Sequence, residues 1–136
     1  MAQPEIGGIS PNFIVKDVTA TLAFYRDKLG FEVTFQEPAQ EPFIGIVQRG
    51  GAMLLFKDVD IEPLPNHKRH KYARWDAYLY VPDPDALAAE YESRGVVFSQ
   101  SLKDTDDGLR GFEIEDSDGY TLFFGRPQPR ETKDTP

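Results

Sequence analysis

Two stretches of the chain set carboxylates and aromatic rings at alternate positions, the spacing that brings side chains to one face of a strand. Asp76, Tyr78 and Tyr80 form one set, and Glu113, Glu115, Thr121 and Phe123 the other. Trp75, the only tryptophan, stands at the head of the first set. Carboxylates beside ring faces suit a flat cationic or aromatic ligand, through charge pairing and cation–π attraction. Asp76 with Glu113 or Glu115 could also act as acid and base in a metal-free reaction, although nothing in the spacing puts them at reacting distance. The competing reading makes the tyrosines half-buried sheet residues and the glutamates solvated ones.

Other chemistries lack their residues. With no cysteine, neither disulfides nor thiolate chemistry is available. No Ser–His arrangement supports nucleophilic catalysis, and no glycine-rich phosphate loop of either common pattern is present. His67 and His70 stand three apart in Asn-His-Lys-Arg-His-Lys-Tyr-Ala-Arg, a spacing that could share a metal on a helical turn. Lys68, Arg69, Lys71 and Arg74 surround them and repel a cation. A solvated basic loop is expected there, able to meet an anionic group on a ligand or the acidic face of a partner. No catalytic residue is assigned.

The elements that must position these groups occur twice. Val15 to Val33 overlays Val81 to Phe98, aligning Asp17 with Asp83, Tyr25 with Tyr91 and, after one gap, Gly30 with Gly95. Gly45 to Gly51 lies over Glu113 to Gly119, and Met53 to Phe56 over Thr121 to Phe124. Each copy reads as strand, helix, strand, strand, strand. In the first, Ile9 to Lys16 alternates as a strand, Asp17 caps a helix carrying Leu22, Tyr25 and Leu29, and Gly30 stops it. Phe31 to Gln36 is a strand, and Phe43 to Gln48 with Met53 to Lys57 forms a hairpin around Gly50-Gly51. In the second, Trp75 to Val81, a helix over Pro84 to Arg94, a short strand at Val96 to Ser99, and a hairpin of Gly111 to Asp116 with Tyr120 to Gly125 repeat the order. Alternation directs Phe13 and Val15 inward and turns Ser10, Asn12, Ile14, Gly45, Val47, Met53 and Leu55 to the same side as the chemical set. Two copies are too few for a solenoid, so a pseudo-symmetric domain is expected: module one over about residues 8–58, a linker at 59–73, module two at 74–127 and a polar, frayed tail at 128–136.

Composition agrees with one packed domain. The chain has 136 residues, 40% of them hydrophobic, and a net charge of −8, which argues against a nucleic-acid surface. No apolar run approaches the roughly 18 residues of a membrane span, and the N-terminus lacks a signal pattern. A cytosolic protein is expected.

The doubled unit, with Val-Lys-Asp-Val-Thr-Ala-Thr-Leu-Ala-Phe-Tyr-Arg-Asp-Lys-Leu-Gly-Phe-Glu-Val in one half and Phe-Glu-Ile-Glu-Asp-Ser-Asp-Gly-Tyr-Thr-Leu-Phe-Phe-Gly-Arg-Pro in the other, resembles the vicinal-oxygen-chelate superfamily. That group includes glyoxalase I, extradiol dioxygenases, and the fosfomycin- and bleomycin-resistance proteins. The resemblance implies an α+β fold of two βαβββ modules, their curved mixed sheets set around a cleft. It also implies four metal positions, two of them seven residues before the capping aspartates and two of them four residues after the hairpin glycines. Here these are Ser10, Asp76, Leu55 and Phe123. Two hydrocarbons, a serine and one aspartate make a poor set for a divalent metal. The closest likeness is therefore to the metal-free bleomycin-resistance branch. That implies a homodimer that sequesters a cationic or aromatic compound, with no cofactor, through Ser10, Asn12, Met53, Leu55, Trp75, Asp76, Tyr78, Tyr80, Glu113, Glu115 and Phe123. The alternative is a lyase or oxidoreductase of the same superfamily with a displaced metal.

Overall fold

The computed structural model describes residues 3–128. The expected tail therefore lies, apart from Gln128, outside the described residues. Among those described are two four-stranded mixed sheets that do not close, each packed on a helix. The chain divides into two compact units, Met1–Leu64 with Asp116–Asp118, and Pro65–Glu115 with Gly119–Pro136.

In the first unit the strands β1 (Asn12–Ile14), β2 (Glu32–Glu37), β3 (Ile44–Arg49) and β4 (Ala52–Lys57) lie in the order β1-β4-β3-β2. The β1–β4 pair is parallel and the others antiparallel. Helix α1 (Val18–Ala23) continues into a wider π-helical turn over Phe24–Lys28. Asp17 caps it by accepting from the Ala20 amide at 3.1 Å. Its apolar stripe of Val18, Leu22, Tyr25 and Leu29 is buried against Val15, Val47, Leu54 and Phe56. The buried Tyr25 hydroxyl donates to Asp116 Oδ2 at 2.6 Å, so the phenol enters the core with its polar end satisfied. Asp118 accepts from the Lys16 amide and the Thr21 hydroxyl, both at 3.1 Å.

The second unit repeats the plan. Strands β5 (Ala77–Tyr80), β6 (Gln100–Asp104), β7 (Leu109–Glu115) and β8 (Thr121–Pro127) take the order β5-β8-β7-β6, again with one parallel pair. Helix α2 is a single turn, Asn66–Arg69, in the stretch expected to be a loop. Helix α3 (Pro84–Ser93) is capped by Asp83, which accepts from the Ala86 amide at 3.1 Å. Gly30 and Gly95 follow the two long helices at φ 73° and 78°, the left-handed stop that the overlay of the two halves predicts. The core under α3 is aromatic: Tyr91 meets Phe112 and Phe124 edge-on, and those two rings stack at 5.3 Å. Arg110 ties the sheet to α3 with a bidentate pair to Asp85 and reaches Asp104 at 3.0 Å.

Val96–Ser99 is not a strand; the edge strand is Gln100–Asp104. Phe98 instead stacks on Phe112 at 4.8 Å, and pairing starts only at the Ser99 amide, which donates to the Glu113 carbonyl. Gly45 and Val47 face α1 rather than the open side. Both are buried, and a Cβ on Gly45 would sit 2.8 Å from Leu22 Cδ2. The cause is hairpin length. Gln48 pairs with Met53 across four intervening residues and Glu115 with Thr121 across five, so an ungapped overlay slips β3 by one residue and inverts its faces.

Gly111 and Gly125 lie opposite each other on β7 and β8. A Cβ on Gly111 would strike the Phe124 carbonyl oxygen, a backbone atom that cannot rotate away. Gly111→Ala should therefore destabilise the protein by about 2 kcal/mol or more. Gly45→Ala, which meets only a leucine side chain, should cost less. Chemical denaturation of both variants checks the order, and equal losses would show that the two strands can part without cost.

Candidate functional site

The open face of the second sheet is built on that glycine pair. Pleating sends Tyr78, Tyr80, Gly111, Glu113, Phe123 and Gly125 to the side away from α3. Without side chains at 111 and 125 the strands offer a flat surface, and the Phe123 ring leans over it. Its Cζ and Cε2 would each lie 2.6 Å from a Cβ placed on Gly111 or Gly125 respectively. Trp75 stacks on Phe123 at 4.4 Å with planes 24° apart, and Tyr78 at 5.6 Å and 19°. The two outer rings are 5.8 Å from each other. Phe123 is 0% exposed, so it serves as the floor, whereas Tyr78 at 41% and Tyr80 at 65% present their rings to solvent.

Polar groups hold this platform at one end. Glu113 Oε2 accepts from the Trp75 indole Nε1–H and from Arg74, each at 2.9 Å. The Arg74 guanidinium also lies over the Trp75 ring, 5.1 Å from its centroid. Both oxygens of Asp76 are engaged by backbone: Oδ1 accepts from the Asn66 amide at 2.9 Å and Oδ2 from the Thr121 amide at 2.8 Å. Asp76 thus ties α2 and β8 to the head of β5. Of the three carboxylates expected to meet a cation, two are committed to internal partners, and Glu115 alone is exposed. The Nε2 amide of Gln100, paired in register with Glu113, is buried without a hydrogen-bond partner. Burial first, and then the neighbouring Tyr80, push the Tyr78 phenol above the usual tyrosine range.

The four candidates of the first half lie on the other sheet. Asn12 is exposed on β1 opposite Leu55 of β4, Met53 and Leu55 are half-buried on the face away from α1, and Ser10 precedes β1. They offer an apolar surface with one amide. At the four positions where the resemblance implies a metal, Leu55 and Phe123 carry no donor and Asp76 has no free oxygen. The set does not fit a divalent ion. Among the described residues no group of three or more His, Cys, Asp or Glu is placed to hold a metal. His67 and His70 do not converge either. His67 Nε2 donates to the Gly119 carbonyl at 2.9 Å, while His70 Nδ1 accepts from the Tyr72 amide at 3.1 Å. Sequence reading passed over Arg74 and Gln100 as site residues. A cation directly before Trp75 was the visible signal for the first, and nothing in the pattern marks the second.

The fold and the site define a class. The chain belongs to the Glyoxalase/Bleomycin resistance protein/Dioxygenase superfamily, whose model matches residues 9–124. No curated protein sequence matches it. Among solved structures it is similar to TioX from Micromonospora sp. ML1, with 17% identity, TM-score 0.71, and coverage of 89% of this chain and 98% of that one. It is also similar to the bleomycin-binding protein of bleomycin-producing Streptomyces verticillus, solved with copper(II)-bleomycin, at 24% identity, TM-score 0.69 and coverage of 94% and 100%. TnmS3, an antibiotic-binding protein from Streptomyces sp. CB03234, follows at 22% identity, TM-score 0.66 and coverage of 94% and 99%. At these identities the likeness establishes the fold. No helix among the described residues is long and apolar enough to cross a membrane.

Because Trp75 is the only tryptophan, its emission reports on the Glu113 contact. Glu113→Ala should red-shift that emission and reduce the indole near-UV circular dichroism, with a stability loss of about 1 kcal/mol. An unchanged spectrum would mean that stacking alone fixes the indole. The raised Tyr78 pKa favours the neutral phenol in the folded state. The associated stability is present below the usual tyrosine range and is lost as pH rises through the raised value. The difference in alkaline absorbance titration between wild type and Tyr78→Phe should reveal one phenol ionising above pH 10; a normal midpoint for that phenol would contradict the burial assigned to it.

Proposed function

We propose that the protein binds and sequesters a planar aromatic small molecule, without turning it over, on the platform of Trp75, Tyr78 and Phe123. The observation that carries this reading is a three-ring cluster in which Trp75 and Tyr78 each stack on Phe123, backed by two glycines and held from the side by Glu113, with Tyr78 exposed and Trp75 half-buried. Rigid rings bind flat ligands at little entropic cost, since the platform is ordered before the ligand arrives. The likeness to a bleomycin-binding protein and to TnmS3 supports an antibiotic-like ligand. Between a cationic and an aromatic ligand, the geometry favours the aromatic character, because Glu113 is already paired with Arg74 and both oxygens of Asp76 are occupied by backbone amides.

The remainder of the reading is a metal-free protein acting as a cytosolic homodimer. Support for a second copy comes from the first unit, where Ile6, Ile9, Phe43, Ile61 and Leu64 are all exposed. An enzyme with a displaced metal was the alternative, and no donor set among the described residues favours it.

Titration with bleomycin and with planar aromatics should quench Trp75 emission at one ligand per chain and raise Tm, since a ligand that binds only the native state stabilises it. Ring stacking of this kind contributes about 1–3 kcal/mol. Tyr78→Ala, at an exposed position, should therefore weaken binding by about tenfold or more in calorimetry while leaving the fold intact. The ligand should be recovered unchanged by mass spectrometry. A product, or binding indifferent to Tyr78, would sink the proposal.

A further inference from the structure

The basic stretch that the platform does not use forms its own structure. Residues 66–74 hold Lys68, Arg69, Lys71, Arg74 and both histidines without a single acid, in a chain whose net charge is −8. The base of this loop is fixed. The Asn66 amide donates to Asp76, the Asn66 side chain to the Trp75 carbonyl and His67 to the Gly119 carbonyl, all at 2.9 Å. Above the base, short-range bonds fold the tip: the His70 amide to the Asn66 carbonyl, and the Ala73 amide to the His70 carbonyl. A segment without a hydrophobic core of its own is thereby held by hydrogen bonds at its base and within its tip.

The tip is open and its charges are unspent. Lys68, Arg69 and Lys71 are exposed and enter no ion pair among the described residues. Tyr72 is 74% exposed, with the Lys71 ammonium 5.0 Å from its ring centroid and the His70 ring at 5.4 Å. The loop runs directly into the platform, since Arg74 lies over Trp75 and bonds Glu113. Glu113 is paired with Arg74, and both Asp76 oxygens are held by backbone amides, so the side-chain charges left without an ion pair on the loop leading into the stacked rings are those of Lys68, Arg69 and Lys71.

We propose that the 66–74 loop recognises an anionic substituent on the ligand of the platform, so that the ligand class is a planar aromatic acid (a carboxylate or sulfonate on a fused ring). This rests on the stacking platform proposed above. The rings supply the apolar area and the loop reads the acid. An exposed ion pair contributes little, so three such cations together give a preference of about tenfold rather than an absolute requirement. The preference must weaken with salt, because the tip is solvated.

The test uses the full-length protein and three probes with one ring system: 2-naphthoate, neutral 2-naphthamide and cationic 2-naphthylmethylammonium. Calorimetry should give 2-naphthoate about a tenfold tighter Kd than 2-naphthamide at low salt, with 2-naphthylmethylammonium the weakest. In K68Q/R69Q/K71Q, which alters only exposed side chains, the preference for 2-naphthoate should vanish while 2-naphthamide affinity stays unchanged. Raising the salt should erase the same preference in the wild type. Equal binding of 2-naphthoate and 2-naphthamide would overturn the assignment and leave the platform standing; absence of binding by all three probes would overturn both. A 2-naphthoate preference that survives the triple substitution would also overturn it. If that variant at the same time lost a dimer in light scattering, the loop would be a contact between copies instead.

Discussion

A pair of facing glycines fixes what the second sheet can do. Where Gly111 meets Gly125, neither backbone can accept a Cβ without striking the other strand or the Phe123 ring. The close approach leaves a strip of sheet with no side chains, and the far edge of the Phe123 ring occupies the space where both Cβ atoms would stand. With Phe123 seated there, Trp75 and Tyr78 stack on it with planes within 24° and 19°. Offset stacking of this kind is worth a fraction of a kcal/mol to somewhat over one per pair, beyond the area buried. The orientation of the outer rings thus follows from an absence in the strand beneath them.

Electrostatics then sorts the carboxylates into different jobs. Asp76 accepts two backbone amides and acts as a structural tie, the role a cap plays at a helix end. Glu113 accepts an indole N–H and a guanidinium, which orients Trp75 and holds Arg74 at its edge. A buried carboxylate without such partners would be costly, and these two have them. The consequence is a face whose acid count in the sequence overstates its negative charge.

Much of the architecture was legible because the repeat carries its own punctuation. The capping aspartates 17 and 83, the core tyrosines 25 and 91, and the stop glycines 30 and 95 recur in order, and each has a local physical reason to be where it is. What was misread depends on a count that sequence similarity hides. One extra residue in the second hairpin shifts β3 against β7, and because strand side chains alternate, a slip of one moves Gly45 and Val47 to the helix side. Val96–Ser99 looked like a strand because it is apolar and β-branched, yet tertiary packing stacks the half-buried Phe98 on Phe112 and gives the edge to the more polar Gln100–Asp104. The partners of Asp76 and Glu113 could not be read at all, since Asn66, Trp75 and Arg74 reach them through loop geometry with no periodic signature. For the site, residue types were legible and their charge state as a group was not.

The corrected register explains why only one half carries a platform. Leu55 pairs with Asn12 and Ile46 as Phe123 pairs with Tyr78 and Glu113. Two residues further along, the Gly111–Gly125 pair of the second sheet corresponds to Ile44–Lys57 in the first. A branched side chain and a lysine stem there fill the strip that the glycines leave bare, so a ring at position 55 would find no flat floor. The first sheet instead keeps Ile46, Met53, Leu55 and the Asn12 amide on that face, and its one neighbouring ring there, Phe35, stands on the edge strand β2 opposite Ile46. The two units share one strand order, with a parallel outer pair and antiparallel neighbours. Two facing glycines in the second, and a tryptophan ahead of its first strand, make it chemically unlike the first without altering the strand order that holds either together.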